Sequence, residues 1–345
     1  MAKKVRLVDI ADRLGITKVS VSKALRDHGD ISAETRERVK QTAAEMGYTP
    51  NLVARSLSSH RSHTLGVVVP KIAHTFFSSV LEAVQEEASR RGYGIVLAVS
   101  NETAELERQH IERLLSMRVD GLLVSVSKEA PPLEIYERVR QMGVPLVFFD
   151  RQIEGLGFSS VTVDDREAAR RAVGHMIALG HREIAHVAGT EEVAIGRERR
   201  AGYEEALRAH GLEVKADWIV SGGFDEWHGY RAVQELLARG IEPKAVFSVT
   251  QPVGIGVHGA LLEAGLADDA YLVSFGDEAI SAFAPISDAY LRQPTGEMGR
   301  EALRLLLDQV EGKARPGESG EAHVVLDVEL VTERLGMNRA GAVGR

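Results

Sequence analysis

Gly254-Ile255-Gly256-Val257-His258-Gly259 has the spacing G-x-G-x-x-G, and Asp277 follows about as far downstream as a ribose-binding acid would. Directly after a strand, such glycines let the backbone approach a pyrophosphate at a helix N-terminus, the chemistry of a dinucleotide-dependent enzyme. Here Thr250 to Val253 separate the apolar run AVFSV from the first glycine, and Pro252 suits the first turn of a helix. The glycines are therefore expected inside that helix, where they permit close packing. His60-Arg61-Ser62-His63 lies in a hydrophilic stretch with no carboxylate beside it, and His175, His181 and His186 straddle a helix, a turn and a strand. Neither set forms a metal-ligand run. The chain has no cysteine, hence no thiolate nucleophile, thiolate metal site or disulfide, which suits a reducing cytoplasm. No G-x-S-x-G elbow occurs, and Asp164-Asp165 reads as an N-cap for the following helix. Nothing is arranged for catalysis, so the chain is not expected to be an enzyme, and neither metal nor cofactor is expected.

Charge points to a different chemistry. The 345 residues carry a formal −8, yet residues 1–63 hold twelve Lys or Arg against seven Asp or Glu, and the remainder 30 against 43. A small basic head on a large acidic body is compatible with nucleic acid as the partner of the head alone. Within the head, Ile10, Ala11 and Leu14 recur at helical spacing and end on Gly15, a natural C-cap. Thr17 then caps a second helix in which Val21, Ala24 and Leu25 share one face and Lys18, Val19, Ser22 and Lys23 are left outside. The strand-like alternation of Val19 and Val21 with Ser20 and Ser22 is incidental. Two short helices across a glycine turn make a helix-turn-helix, whose second helix suits the major groove. SAETRERVKQTAAEMGY supplies a third helix, capped by Ser32, with Val39, Ala43 and Met46 as its stripe. In TPNLVARSLSSHRSHT, Leu52, Val53, Ala54 and Leu57 interleave with Arg55 and serines after Pro50. This segment is too short for a stable isolated helix, which needs about 12 residues or more. It reads either as a flexible linker or as a hinge that folds only on DNA and wedges an apolar side chain into the minor groove.

At about 150 residues per domain the length implies two or three domains. From Thr64 onward, apolar runs (LGVVVP, GIVLAVS, VDGLLVSV, VPLVFFD, REIAHVAG, DWIVSG, AVFSVT, AYLVSFGD) alternate with amphipathic helical stretches, which implies parallel sheets covered on both faces. The pattern divides after about Val163 into two lobes, with crossovers near 291 and 322. Met1-Ala2-Lys3-Lys4-Val5-Arg6 runs straight into charge, and no apolar stretch is long enough to cross a membrane. A cytoplasmic protein is expected, rather than an exported binding protein of similar body.

Through LVDIADRLGITKVSVSKAL, ISAETRERV, GYTPNLVARSL and VDGLLV, the sequence resembles LacI/GalR-family transcriptional regulators over essentially its whole length. The resemblance implies an all-α helix-turn-helix head (1–50), a hinge helix or linker (51–63) and an α/β periplasmic-binding-protein-like core of two parallel-sheet lobes (64–338), followed by a tail (339–345). Lobe 1 is expected over 64–163 and 292–322, lobe 2 over 164–291 and 323–338. It implies a homodimer on double-stranded DNA with a pseudo-palindromic operator, usually as a repressor. Lys18, Val19 and Lys23 would read base edges, and Thr17, Ser22 and Arg26 would contact phosphates. Leu57 would wedge the central base step with Ala54 in the same groove, while Arg55 would contact backbone. A small effector would lie between the lobes, against Phe76, Phe77, Asp150, Arg197, Arg199, Phe224, Gln251 and Asp277. Many sugar-binding relatives have Asn-Asp where this chain has Thr250-Gln251, and Asp at Gly276. With two acids missing and Arg197 and Arg199 kept, the sequence favours an anionic effector, a phosphosugar, beside the alternative of a neutral sugar. The tail GMNRAGAVGR lacks a leucine heptad, so a tetramer is not expected.

Overall fold

In the computed structural model the described residues are 5–49, 61–129, 133–276, 286–313 and 321–332. The chain forms two compact units, one through Ser62 and one from His63.

Among its described residues the first unit holds three helices, α1 (Leu7–Leu14), α2 (Lys18–Ala24) and α3 (Ala33–Glu45). Asp9 accepts the Arg6 backbone N–H at 2.7 Å at the start of α1, and Gly15 ends it in the left-handed conformation at φ 67°. Thr17 Oγ1 accepts from the Ser20 N–H at 3.1 Å, and Ser32 Oγ from the Thr35 N–H at 3.3 Å, the caps that the spacing predicts. Ile10, Ala11, Val21, Ala24, Val39 and Ala43 form its core, with Leu14, Leu25 and Met46 packed around it. Burying each larger aliphatic side chain contributes about 1.5–3 kcal/mol, enough to hold helices too short to persist alone.

The second unit contains two six-stranded sheets. The first has strand order β11-β5-β4-β3-β1-β2, from β1 (Thr64–Val69), β2 (Gly94–Val99), β3 (Gly121–Val124), β4 (Leu146–Phe149), β5 (Ser159–Val163) and β11 (His323–Leu326). The second has order β12-β10-β9-β8-β6-β7, from β6 (Ala185–Gly189), β7 (Ile219–Gly222), β8 (Ala245–Ser248), β9 (Tyr271–Gly276), β10 (Ala289–Arg292) and β12 (Glu329–Val331). Helices α4 (Thr75–Arg90), α5 (Ala104–Ser116), α6 (Leu133–Gln141) and α11 (Thr295–Val310) belong with the first sheet. Helices α7 (Asp165–Ala178), α8 (Ala194–Ala209), α9 (Glu226–Ala238) and α10 (Gln251–Glu263) belong with the second. In β1, Leu65, Val67 and Val69 pack on one side of the sheet and Val68 on the other, which is why its sequence is a continuous apolar run.

One expectation needs correction. The last return between lobes does not fall at 322: β11 pairs in parallel with β5 of the first sheet, His323 against Ser160 through Leu326 against Val163. Only after Leu326 does the chain cross. Both sheets are parallel as expected, with the edge strand β12 running antiparallel to β10, Tyr290 facing Val331. No helix intervenes between β11 and β12 to build a parallel crossover.

The glycine motif lies inside α10, behind the Thr250 cap and with Pro252 in the first turn. A Cβ on Gly256 would lie 1.8 Å from the Glu226 carbonyl oxygen of α9, so this glycine sets the approach of the two helices. Gly256→Ala is expected to cost about 1–3 kcal/mol or more through overpacking, read as an earlier urea transition of the core. An unchanged midpoint would mean that the two helices separate freely.

Candidate functional site

On the head, α2 carries Lys18 and Val19 outward, with Val19 64% exposed although it is apolar. Thr17 is used as a cap, and Ser22 is half-buried with its carbonyl accepting from Arg26 Nε at 3.0 Å. Lys23 is not free: its Nζ lies 2.8 Å from Asp30 Oδ2, so it meets a base only by leaving that exposed ion pair. Such a pair is worth about 0.2–1 kcal/mol and is readily exchanged. Ala54, Arg55 and Leu57 lie outside the described residues.

In the core, a cleft of about 560 Å³ opens between the lobes at the carboxyl ends of the strands. It brings together Phe76, Phe77, Asp150, Arg199, Phe224 and Gln251 of the residues expected there. Phe76 and Phe77 stand at the start of α4, their rings edge-on at 5.2 Å, with Phe77 buried. Phe224 follows β7 and Gln251 starts α10. Thr75 Oγ1 donates to Gln251 Oε1 across the cleft at 3.3 Å. Arg197 does not line the cleft, because its Nη1 turns back to the carbonyl oxygens of Glu191 and Glu192 at 2.9 and 3.3 Å. Asp277 lies outside the described residues.

Arg199 is 1% exposed. Its Nε and Nη2 lie 2.8 and 2.7 Å from Asp165 Oδ1, its Nη1 donates to the Val249 carbonyl, and its Cζ lies over the Phe275 ring at 3.3 Å. The acid pair at the start of α7 thus splits its roles. Asp164 caps the helix, accepting from the Glu167 N–H at 2.9 Å, and Asp165 neutralises Arg199. Burial pushes the Asp165 carboxyl up, and the arginine holds it partly down.

Arg151, Phe275, His74, Ile195, Gln293 and Thr295 also line the cleft, and the sequence reading missed them. Arg151 is buried. Its Nη1 donates to Glu102 Oε2 at 2.8 Å, its Cζ lies 5.0 Å from the centre of the Phe224 ring in the other lobe, and its Nε has no hydrogen-bond partner among the described residues. The signal for it was its place directly after the VFFD run. Asp150 directly follows β4 at φ 61°, a conformation uncommon outside glycine, and accepts from Ser125 Oγ at 3.2 Å. Burial pushes its carboxyl up to about 6, against the downward pull of Arg151 and Arg199. Backbone strain and a displaced carboxyl pKa in one cleft make it the candidate site. Each arginine of this cleft has a carboxylate partner, and Asp150 remains as a third acid.

Among the described residues no group of three His, Cys, Asp or Glu could hold a metal, and no helix is long and apolar enough to cross a membrane. Residues 6–51 match the family described as bacterial regulatory proteins, lacI family, and residues 62–295 match the periplasmic binding proteins and sugar binding domain of LacI family. The HTH-type transcriptional regulator AscG of Escherichia coli K12 is 31% identical over 89% of this chain and 92% of its own. The HTH-type transcriptional repressor CytR of the same strain is 30% identical over 94% of each. Among solved structures, the lac repressor dimer bound to operator and the anti-inducer ONPF superposes with a TM-score of 0.82 at 27% identity, covering 95% of this chain and 98% of that one. A complex of the transcriptional regulator CelR with cellobiose superposes with a TM-score of 0.72 at 29% identity, covering 96% and 100%. A helix-turn-helix with an outward-facing second helix, a two-lobed core with a polar cleft and these matches along the chain converge: the protein belongs to the LacI family of DNA-binding transcriptional regulators.

Proposed function

We propose that the protein is a cytoplasmic repressor without catalytic activity, which binds a two-fold symmetric operator as a homodimer and answers to a neutral sugar held between its lobes. In this reading residues 51–63 are the hinge between head and core. Lys18 and Val19 meet base edges, Val19 packing on a thymine methyl and Lys18 donating to guanine, with Lys23 joining them on release from Asp30. Thr17, Ser22 and Arg26 lie along the backbone, and Ala54, Arg55 and Leu57 engage the minor groove. Exposed apolar side chains on the core, Trp227 at 70%, Ile255 and Leu262, support pairing of two copies through α9 and α10.

The choice of a neutral ligand rests on one observation: the guanidiniums of Arg199 and Arg151 are already matched by Asp165 and Glu102, with Asp150 in addition. An anion entering this cleft meets two guanidiniums already paired behind its wall, and the Asp150 carboxyl in the wall itself. A hydroxyl-bearing ring instead donates to Asp150 and Gln251, accepts from the remaining guanidinium N–H groups, and lays its apolar face on phenylalanine. Relatives solved with cellobiose or with the anti-inducer ONPF bound are compatible with this. A thermal-shift panel of sugars, their phosphates and nucleobases tests it. A neutral sugar at a hundred times its Kd should add about 2.7 kcal/mol of stability. Stabilisation by phosphosugars alone would reverse the charge argument.

A further inference from the structure

We propose that Asp30 is a specificity-determining residue of the head, accepting from the amino group of a cytosine whose paired guanine is taken by Lys23. This rests on the reading of α2 as the helix that meets base edges. Lys23 stands in the last turn of α2 and Asp30 in the connection to α3, with Nζ and Oδ2 2.8 Å apart. Asp30 therefore lies beside the outward face of α2, and its side chain is 60% exposed. Its other oxygen, Oδ1, lies 3.4 Å from His28 Nδ1. The Lys23 ammonium holds the carboxyl below its ordinary value, so at neutral pH it is ionised and only accepts.

A carboxylate on a surface that reads DNA has few partners. Phosphates repel it, and the N7, O6 and O4 acceptors of the major groove offer it nothing. The donors there are the amino groups of cytosine and adenine, and adenine sets an N7 acceptor beside its own. Cytosine is thus the complement of an acid, as guanine, through O6 and N7, is that of a lysine. The two bases form one pair. Within it O6 and N4 are hydrogen-bonded to each other at about 2.9 Å, close to the 2.8 Å between Lys23 Nζ and Asp30 Oδ2. When Lys23 leaves Asp30 for O6, the freed carboxylate meets N4 of the same pair, and neither charge is left unmatched. Reversing the pair sets ammonium against N4 and carboxylate against O6. Thymine and adenine in their places keep O4 and N6, but put a methyl beside the ammonium and N7 beside the carboxylate.

The other acid of this connection is placed differently. Asp27, in the left-handed conformation at φ 55°, accepts from Lys40 Nζ at 2.6 Å and lies 3.9 Å from Arg36 Nη1. Both cations belong to α3, so Asp27 fastens the connection to that helix. Asp30 pairs instead with a cation of α2, the helix that meets the bases. The exposed Lys23–Asp30 pair contributes little to folding, as such pairs do, and exchanges its partners readily. Its consequence lies in DNA binding. Away from a G·C pair, Lys23 either stays with Asp30 or leaves a bare carboxylate facing the phosphates, and both weaken binding to the wrong sequence.

Selection of duplexes from a random pool by the full chain, followed by anisotropy titration of single-pair variants of the selected sequence, tests this. The parent should show one G·C pair in each half-site whose replacement costs about tenfold in affinity. Asp30→Ala should flatten the preference at that pair about tenfold and leave the other positions as they were. Asp30→Asn should shift it toward adenine in cytosine's place, because an amide matches adenine N6 and N7. A duplex with pyrimidin-2-one for that cytosine, which lacks the amino group, should weaken the parent about tenfold more than it weakens Asp30→Ala. Asp27→Asn should leave the preference unchanged. Identical preferences in the parent and Asp30→Ala would overturn the proposal and leave Asp30 as one half of a surface ion pair. So would a uniform rise in affinity for every duplex in Asp30→Ala, the sign of an acid that only repels the backbone, or an equal loss of preference in Asp27→Asn, which would make the shape of the connection decisive. If the parent selects no sequence at all, the base-reading role of α2 fails and the proposal with it, a result distinct from a selected sequence that is indifferent to Asp30.

Discussion

Arg199→Ala is expected to destabilise the core by about 3–5 kcal/mol, because it strands Asp165 as an unpaired buried charge. The arginine is 1% exposed, and both its Nε and its Nη2 face Asp165 Oδ1. Without it, the carboxyl that burial already pushes up rises further. A folded pKa above the unfolded one means that the folded state holds the proton more tightly, so the variant should lose more stability as pH rises through that folded pKa. Arg199→Ala/Asp165→Asn should recover part of the loss, giving a coupling of about 0.5–3 kcal/mol in a double-mutant cycle followed by urea denaturation. Additive losses would mean that the two side chains do not act as a pair. An effector response is therefore compared only between folded Arg199→Ala and the folded parent.

Asp150→Asn should do the opposite and stabilise the ligand-free protein. A carboxyl with a folded pKa of about 6 against an ordinary 3.8 costs on the order of 3 kcal/mol when ionised. The sign follows from proton binding: between those two values the folded state holds the proton that the unfolded state has lost, so stability falls as pH rises across the interval and then levels off. Asparagine keeps the shape, removes the charge and tolerates φ 61°. Its advantage should be largest at neutral pH and vanish below about pH 4, while sugar binding weakens because the charged acceptor is gone. Thermal melts across pH check this. A variant less stable than the parent at neutral pH would show that Asp150 is a net structural asset, and not an acid kept for its ligand at a cost.

Local features were legible in the sequence because they depend on neighbours along the chain. The Gly15 and Thr17 boundary of the turn, the stripe of Val21, Ala24 and Leu25, the Thr250 cap and the burial of the glycine motif in a helix all follow from spacing over a few residues. What the sequence hid is the pairing of charges over long separations. Arg199 meets an acid 34 residues away and Arg151 one 49 residues away, so counting arginines overstated the positive charge of the cleft. Arg197, two positions from Arg199, projects elsewhere because its carbonyl partners lie on the loop before α8. Lys23, expected on the outer side of its helix, is held there by Asp30, which lies beyond the helix end. The placement of β11 depends on which sheet edge stands open, and no local signal encodes that.

The central claim, that occupancy of the cleft governs DNA binding by the head, is tested most directly by fluorescence anisotropy. The labelled duplex would be one selected by the purified protein from a random pool, titrated with and without the stabilising sugar. The account predicts selection of a two-fold symmetric sequence and a change in its affinity of about 5–150-fold on saturation with sugar, the usual range of coupling between sites. A sugar that binds while the affinity for the selected duplex stays the same would contradict it.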